Sequence, residues 1–329
     1  KGIHLEVTEF IFSDKNIQKI IQNLEDYEEG DRYFIFRNIV TRNKLDNRIL
    51  ERILTDRNYL VRLLAVRNID LIERPEILKR LLKDRSQKIR HYAINKISES
   101  EIEQFQTELN DMLFDNSAAI RATSRILLSK LNTQNYREKY LDKIEKNPTP
   151  GSIIGLSEVS DQGDIGVFEK FLKSGFPKHR AAGLFAISNL DYSKAKERAF
   201  ELLNDSSSTV KKGCYSIIPK EKSFGDLPKL RSIYDQGTVE TKRFVLKTIS
   251  KYGGWDIAGD FLKGIKSDDE KLSQMAFAFL NAWYNYSIRL GTELKDADKE
   301  YVMGIYQDLN IENHEPPFDV RKLTDKIPF

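Results

Sequence analysis

The sequence predicts an all-α fold, a right-handed α-solenoid of about nine to ten helical pairs. Three observations predict it. A short pattern recurs with a period of about 30 residues. Its apolar positions follow helical rather than strand spacing. A small residue returns at one fixed place in most copies. The pattern is plainest between Ile53 and Leu128. Leu54-Thr55-Asp56 leads to Val61-Arg62, Ala65 and Ile69. Leu82-Lys83-Asp84 leads to Ile89-Arg90, Ala93 and Ile97. Leu113-Phe114-Asp115 leads to Ile120-Arg121, Ser124 and Leu128. Each time an Arg stands six after the Asp, a small residue nine after it, and an aliphatic residue thirteen after it.

The register extends both ways. Upstream, Asp26, Arg32, Ile35 and Ile39 fit, with a large residue in the small place. Downstream come Lys146/Ser152, Ser174/Arg180, Asp205/Lys211, Gln236/Lys242 and Ser267/Ser273. The basic position falls at 32, 62, 90, 121, 152, 180, 211, 242 and 273.

The elements follow in order. Residues 1–22 carry Phe10-Ile11-Phe12, then Ile17, Ile20 and Ile21 at helical spacing, which predicts a cap or partial first repeat. Residues 23–282 form the repeats. Within a repeat the first helix is clearest at Pro75-Glu76-Ile77-Leu78, where Pro75 suits a first turn because its missing N–H is not needed. The Asp opens a short turn, and Asp and Ser there accept backbone N–H bonds and cap the next helix. The second helix shows apolar residues at 89, 92, 93 and 97, one face of a helix. Asn147-Pro148-Thr149-Pro150-Gly151 is the weakest join and reads as an altered inter-helix turn rather than a domain hinge. Residues 283–329 are expected to be capping helices and a tail, with Trp283, Tyr284 and Tyr286 near a helix end, a helix over 299–309, and an irregular His314-to-Phe318 stretch. An aromatic closing helix shields the open end of a stack; a Trp/Tyr ligand pocket is the alternative.

The columns have packing reasons. Small side chains at 65, 93, 124, 155, 183, 214 and 276 let helices of neighbouring repeats approach. The Asp of one turn can pair with the Arg of a neighbouring repeat, forming a ladder to which the guanidinium fork is suited.

The paired helices, the period near 31 residues and the Asp-x5-Arg-x2-small spacing resemble HEAT repeats, most of all the short bacterial kind shared with phycobilisome-lyase-type proteins. The resemblance runs from about residue 20 to 282. It is best at Asp56/Arg62, Asp84/Arg90 and Asp115/Arg121, and poor at Lys146/Ser152 and Ser267/Ser273. It implies the fold. It does not imply one function, since scaffolds, transport receptors, lyase subunits and some enzymes share it.

Composition narrows the classes. One cysteine among 329 residues excludes an intramolecular disulfide; Cys214 falls in the small column and reads as a buried small apolar group. No apolar run approaches the length of a membrane span. The chain begins at Lys1 rather than Met, so a leader, lipid anchor or upstream domain can precede it. A cytoplasmic location is the expectation. The net charge of +3 conceals an asymmetry. Residues 42–96 hold 15 Lys or Arg and seven Asp or Glu, a net +8, leaving −5 elsewhere. Such a segment attracts nucleic acid or an acidic protein, although Arg62 and Arg90 already have a use in the ladder.

Chemistry is sparse. His4, His91, His179 and His314 lie in different repeats, with no paired metal ligands at helical spacing. Hydroxylases on this fold hold iron through several His-Glu pairs, and only His314-Glu315 is present. Alkylpurine DNA glycosylases on this fold use aromatic and acidic residues; Trp255-Asp256 and Trp283 match no such motif and lie far from the basic segment. Gly253-Gly254 lacks the Lys-Ser/Thr of a phosphate loop. No catalytic residue, metal or cofactor is expected.

A surface remains. Second helices commonly line the concave side, and the positions one and five after the basic residue should point outward. They are Leu63/Arg67, His91/Asn95, Ala181/Phe185, Lys212/Ser216 and Arg243/Lys247. From these, Arg67, His91, Asn95, Phe185, Lys212, Arg243 and Lys247 form the candidate site for a protein or peptide partner. The alternative is a nucleic-acid-binding module using Arg42, Arg48, Arg57 and Lys88. Serines 98, 129, 160, 188 and 250 recur eight after the basic position and read as helix-end hydroxyls. The oligomeric state stays open.

Overall fold

The computed structural model describes residues 14–23, 26–41, 47–68, 75–131, 135–223, 225–254, 257–290, 300 and 304. Among them are eighteen α-helices and no strand. Phe10–Phe12, Arg42, Trp255-Asp256 and His314-Glu315 lie outside the described residues, as does nearly all of 299–309. The chain divides into two compact units, Lys1–Tyr140 and Leu141–Phe329. The division falls just ahead of the Asn147–Gly151 stretch.

The first unit holds four hairpins: α1 (Asp14–Gln22) with α2 (Glu29–Thr41), α3 (Asn47–Thr55) with α4 (Tyr59–Asn68), α5 (Pro75–Leu82) with α6 (Gln87–Ile94), and α7 (Gln106–Met112) with α8 (Ala118–Ser129). Each first helix buries one stripe, as α3 does with Ile49, Leu50, Ile53 and Leu54. From α3 onward each second helix packs on its own first helix, and α2, α4 and α6 each pack on the second helix of the next hairpin. Ala93 and Ser124 of the small column are fully buried, and the Ser124 hydroxyl donates to the Leu109 carbonyl of its own first helix.

The turns are fixed by the predicted columns. Asp56 Oδ1 accepts the Asn58 N–H at 2.7 Å, Asp84 Oδ1 that of Ser86 at 2.7 Å, and Asp115 Oδ1 that of Ser117 at 2.8 Å. The arginine six residues on closes the same turn from its other side: Arg62 Nη1 donates to the Asp56 carbonyl at 2.6 Å, and Arg90 Nη1 to that of Asp84 at 2.8 Å.

The second unit holds α9 (Tyr136–Lys146), which begins before the division, and α10 (Pro150–Ser157). It continues with α11 (Ile165–Phe171), α12 (Pro177–Leu190), α13 (Tyr192–Leu202), α14 (Ser208–Ile217), α15 (Asp226–Gln236), α16 (Val239–Ile249), α17 (Ala258–Ile265) and α18 (Glu270–Leu290). The proline stretch is an inter-helix turn. Thr149 caps α10, its Oγ1 accepting the Ser152 N–H at 3.1 Å while the Thr149 N–H donates to Ser152 Oγ at 2.9 Å. Pro150 takes the first helical position. Ser152 is therefore a capping residue where the register puts a base.

Small residues matter most at α12 and α17. A Cβ on Gly183 would lie 2.9 Å from the Phe168 carbonyl and 2.9 Å from Phe171 Cβ. One on Gly264 would meet Ala276 Cβ at 2.7 Å. At the far end Trp283 is 6% exposed, and its indole N–H donates to the Gly254 carbonyl at 2.7 Å. Gly253 and Gly254 reach φ of +72° and +86°, values open to glycine, and form the turn that presents this carbonyl. Trp283 is thus tied to the turn before α17.

Candidate interaction surface

The ladder decides which way each second helix faces. Arg32 Nε reaches Asp56 at 2.9 Å, Arg62 reaches Asp84 at 2.8 and 2.9 Å, Arg90 reaches Asp115 at 2.6 and 3.0 Å, and Arg180 reaches Asp205 at 2.7 Å from both Nε and Nη2. Every rung joins an Arg to the Asp of the following hairpin. The register drifts in the second unit. Lys211 is buried and pairs with Glu240 at 2.8 Å, because its Asp place is taken by Gln236. Arg243, not Lys242, makes the next rung, to Asp269 at 2.5 Å.

With one face of the second helices committed to rungs and core, the residue five after the register's basic position is exposed in most hairpins, while Ser157 in α10 is buried. Exposure holds for Arg67, Asn95, Ser216 and Lys247, for Phe185 at 46%, and for Ile126 at 60%. The position one after the rung is less regular. His91 and Lys212 are exposed and Ala181 is half-buried. Leu63 is buried at 9%, contrary to expectation, because α4 turns that side onto the core. Arg243 also departs from its expected role as a free surface cation. It is half-buried, ion-paired, and its Nε is buried with no hydrogen-bond partner.

The structure adds Tyr215, which the pattern did not single out. Lys247 Nζ lies 4.7 Å from its ring centre and Lys251 Nζ 5.9 Å, so an aromatic face on α14 orients two cations from the neighbouring hairpin. In the first unit the Asn95 amide donates to the His91 carbonyl at 2.6 Å, tying those two candidates together. Hydroxyls of Ser129, Ser188 and Ser250 donate to carbonyls three residues back, and Ser98 opens a capping box. They are helix-end groups.

A second set of ion pairs joins first helices: Arg80 with Glu51, Arg198 with Glu169, and Arg231 with Asp260, each 29 residues apart. Their signal in the sequence is opposite charge at one repeat's spacing. Arg198 is also the main reason that Glu169 titrates below the usual carboxylate range.

The basic alternative is only partly assembled. Arg57 and Lys88 are exposed and lean on one turn edge; Lys88 Nζ lies 3.2 Å from Tyr59 Oη and 5.1 Å above its ring. Arg48 stands near the other end of α3, roughly 10 Å of helix away from that turn. Among the described residues no group of His, Cys, Asp and Glu could hold a metal ion. No described helix is long and apolar enough to cross a membrane.

No protein-family model matches the chain, and no curated protein matches it. Among solved structures it is similar to the X-ray structure of YibA from Escherichia coli, at 19% identity and a TM-score of 0.39, over 78% of this chain and 97% of that one. It is also similar to a chain in the structure where Kap95p binding induces the switch loops of RanGDP to adopt the GTP-bound conformation. There identity is 12% and the TM-score 0.39, over 95% of this chain and 54% of that one. This chain spans about half of that second protein. The repeat architecture rests on the chain's own hairpins and rungs, which make it a HEAT-like helical-repeat protein.

Proposed function

We propose that this chain is a non-catalytic binding scaffold that holds a protein or peptide partner along the face of its second helices. One observation carries the reading: the position five after the register's basic residue is exposed in most hairpins while its chemistry varies among Arg67, Asn95, Ile126, Phe185, Ser216 and Lys247. A surface of mixed apolar, polar and cationic groups repeated from hairpin to hairpin suits an extended partner, in which a few anchors supply most of the affinity. Both Phe185 and Ile126 keep a large apolar area in contact with solvent, 46% and 60% exposed.

The test is capture from the native source, with and without nuclease, by the wild-type chain and by a variant carrying Arg67→Glu, Lys212→Glu and Lys247→Glu. Arg243 is left intact because its pair with Asp269 would confound the result. A partner retained after nuclease and lost in the variant supports the reading. Equal capture by both proteins, or capture abolished by nuclease, overturns it.

A further inference from the structure

The first unit has a second charged feature, at the edge where first helices turn into second helices. On hairpins α3–α4 and α5–α6 this edge displays Arg57, Lys83, Arg85 and Lys88, all exposed. The carboxylates beside them are already engaged. Asp56 holds Arg32, Asp84 holds Arg62, and Glu51 holds Arg80. The ladder thus consumes the negative charge of these turns and leaves their cations uncompensated.

The cations are also gathered. Arg85 reaches back and donates from Nη2 to the Arg57 carbonyl, while Lys88 reaches back to Tyr59. Both side chains of the later hairpin therefore stand over the turn of the earlier one. At that turn opens a hollow of about 470 Å³, with Arg52, Thr55 and Arg57 on its wall and Glu29 at the side of the neighbouring hairpin.

We propose that this turn edge is a second docking point that takes a short acidic segment of the partner protein. It rests on the scaffold reading and names the chemistry of part of the partner. Length argues for a short segment. The preceding turn presents exposed Asp26, Glu28, Glu29 and Asp31, and residues 106–120 on the other side contain no Lys or Arg. The basic edge spans two hairpins, roughly 10 Å apart, and is closed off by acidic or neutral surface. A nucleic-acid backbone would run from the cations into repulsion, whereas a run of a few Asp or Glu residues fits between. The ring of Tyr59 already carries Lys88 Nζ over one face, where a base would otherwise stack.

The experiment uses the whole chain and a fluorescent oligoglutamate peptide, followed by anisotropy at low and raised salt. Single-stranded and duplex oligonucleotides of equal formal charge serve as rivals. The peptide should bind with an affinity that falls as salt rises. Arg57→Glu/Lys83→Glu/Lys88→Glu should weaken it by roughly tenfold or more, as several exposed ion pairs become repulsions. A control with the same charge change elsewhere, Lys19→Glu/Lys173→Glu/Lys266→Glu, should bind almost as wild type. Equal loss in both triple variants would reduce the effect to net charge and overturn the proposal. So would absence of peptide binding, or an oligonucleotide bound as tightly as the peptide. Circular dichroism melts on both variants exclude loss of fold as the cause. Since the second-helix variant does not touch this edge, partner capture can succeed while the peptide fails, and the two readings fall separately.

Discussion

Arg62 on α4 spans two hairpins, with Nε and Nη2 on the Asp84 carboxylate at 2.8 and 2.9 Å and Nη1 on the Asp56 carbonyl at 2.6 Å. One guanidinium thus closes its own turn and locks the next. Arg62 is only 3% exposed, so both charges depend on each other more than a surface pair would.

Replacing Arg62 by Ala should destabilise the first unit by roughly 1–3 kcal/mol, because the mostly buried Asp84 carboxylate loses both guanidinium donors and keeps only the Ser86 N–H. Lys at 62 should not restore the loss, as an ammonium cannot make the fork and reach the Asp56 carbonyl together. Hydrogen exchange should quicken in α4 to α6. A denaturation midpoint equal to wild type would remove the ladder from the energetics of the fold.

Another rung, from Arg180 to Asp205, predicts a pH dependence. Burial alone would raise the Asp205 carboxyl, but the hydrogen bond from Arg180, the Ser207 N–H and the charges of Arg180 and Lys211 outweigh it and hold the group below its usual range. A depressed carboxyl contributes stability that is present above the unfolded value and is lost as pH falls through the folded one. Stability should therefore drop below about pH 4. Asp205→Asn should be less stable at neutral pH and lose less on acidification. Parallel pH profiles for the two proteins would argue against this assignment.

Two glycines one repeat apart should respond with opposite sign. At Gly183 an added methyl meets the Phe168 backbone carbonyl at 2.9 Å, and backbone cannot give way cheaply. Gly183→Ala should cost roughly 1–3 kcal/mol. At Gly213 in α14 the nearest atom is Leu184 Cδ2 at 3.7 Å, an ordinary contact. Gly213→Ala should stabilise by about 0.5–1 kcal/mol through helix propensity. Chemical denaturation of both variants tests the pair, and a shift of the same sign in both would discredit the packing argument.

These contrasts also show what the residues alone could disclose. Asp56, Arg62, Asp84, Arg90 and Asp115 recur at fixed spacing because each rung constrains three points of the chain, so the hairpins and their order were legible. Gly183 was legible as a small residue, while its different tolerance from Gly213 depends on which atoms face it. The later rungs blurred because Lys211 finds Glu240, and Arg243 finds Asp269, by shifting along the helix. That shift costs little when the partner lies on a flexible side chain, so spacing no longer reports pairing. Leu63 misled for a related reason. A helix turns about 100° per residue, and a small rotation of α4 takes the position after the rung from surface to core. The position five on tolerates that rotation, which is why Arg67, Asn95, Phe185 and Lys247 were placed correctly as exposed. The turn-edge cations could be counted in residues 42–96, but their isolation from carboxylates required knowing which acids the ladder had taken.

Cys214 gives the last prediction. It occupies the small place of the pattern on α14, fully buried, one repeat after Gly183 and one before Val245. Burial pushes its thiol up to about 12, with only a minor opposing contribution from a backbone hydrogen bond. The thiolate is the reactive form, so at pH 8 the native chain should present almost none of it, and access is closed as well. DTNB should leave Cys214 unmodified in native buffer and react with it promptly in denaturant. Any slow native reaction should show a rate that stops rising with reagent concentration, because opening of the stack then limits it. Substitutions should follow size: Cys214→Ala should cost roughly 1 kcal/mol for the small cavity, while Cys214→Leu should cost more, because the added atoms have no space between α14 and its neighbours. Prompt labelling of the folded protein, or a Leu tolerated as well as Ala, would show that α14 is not packed as closely as this arrangement requires.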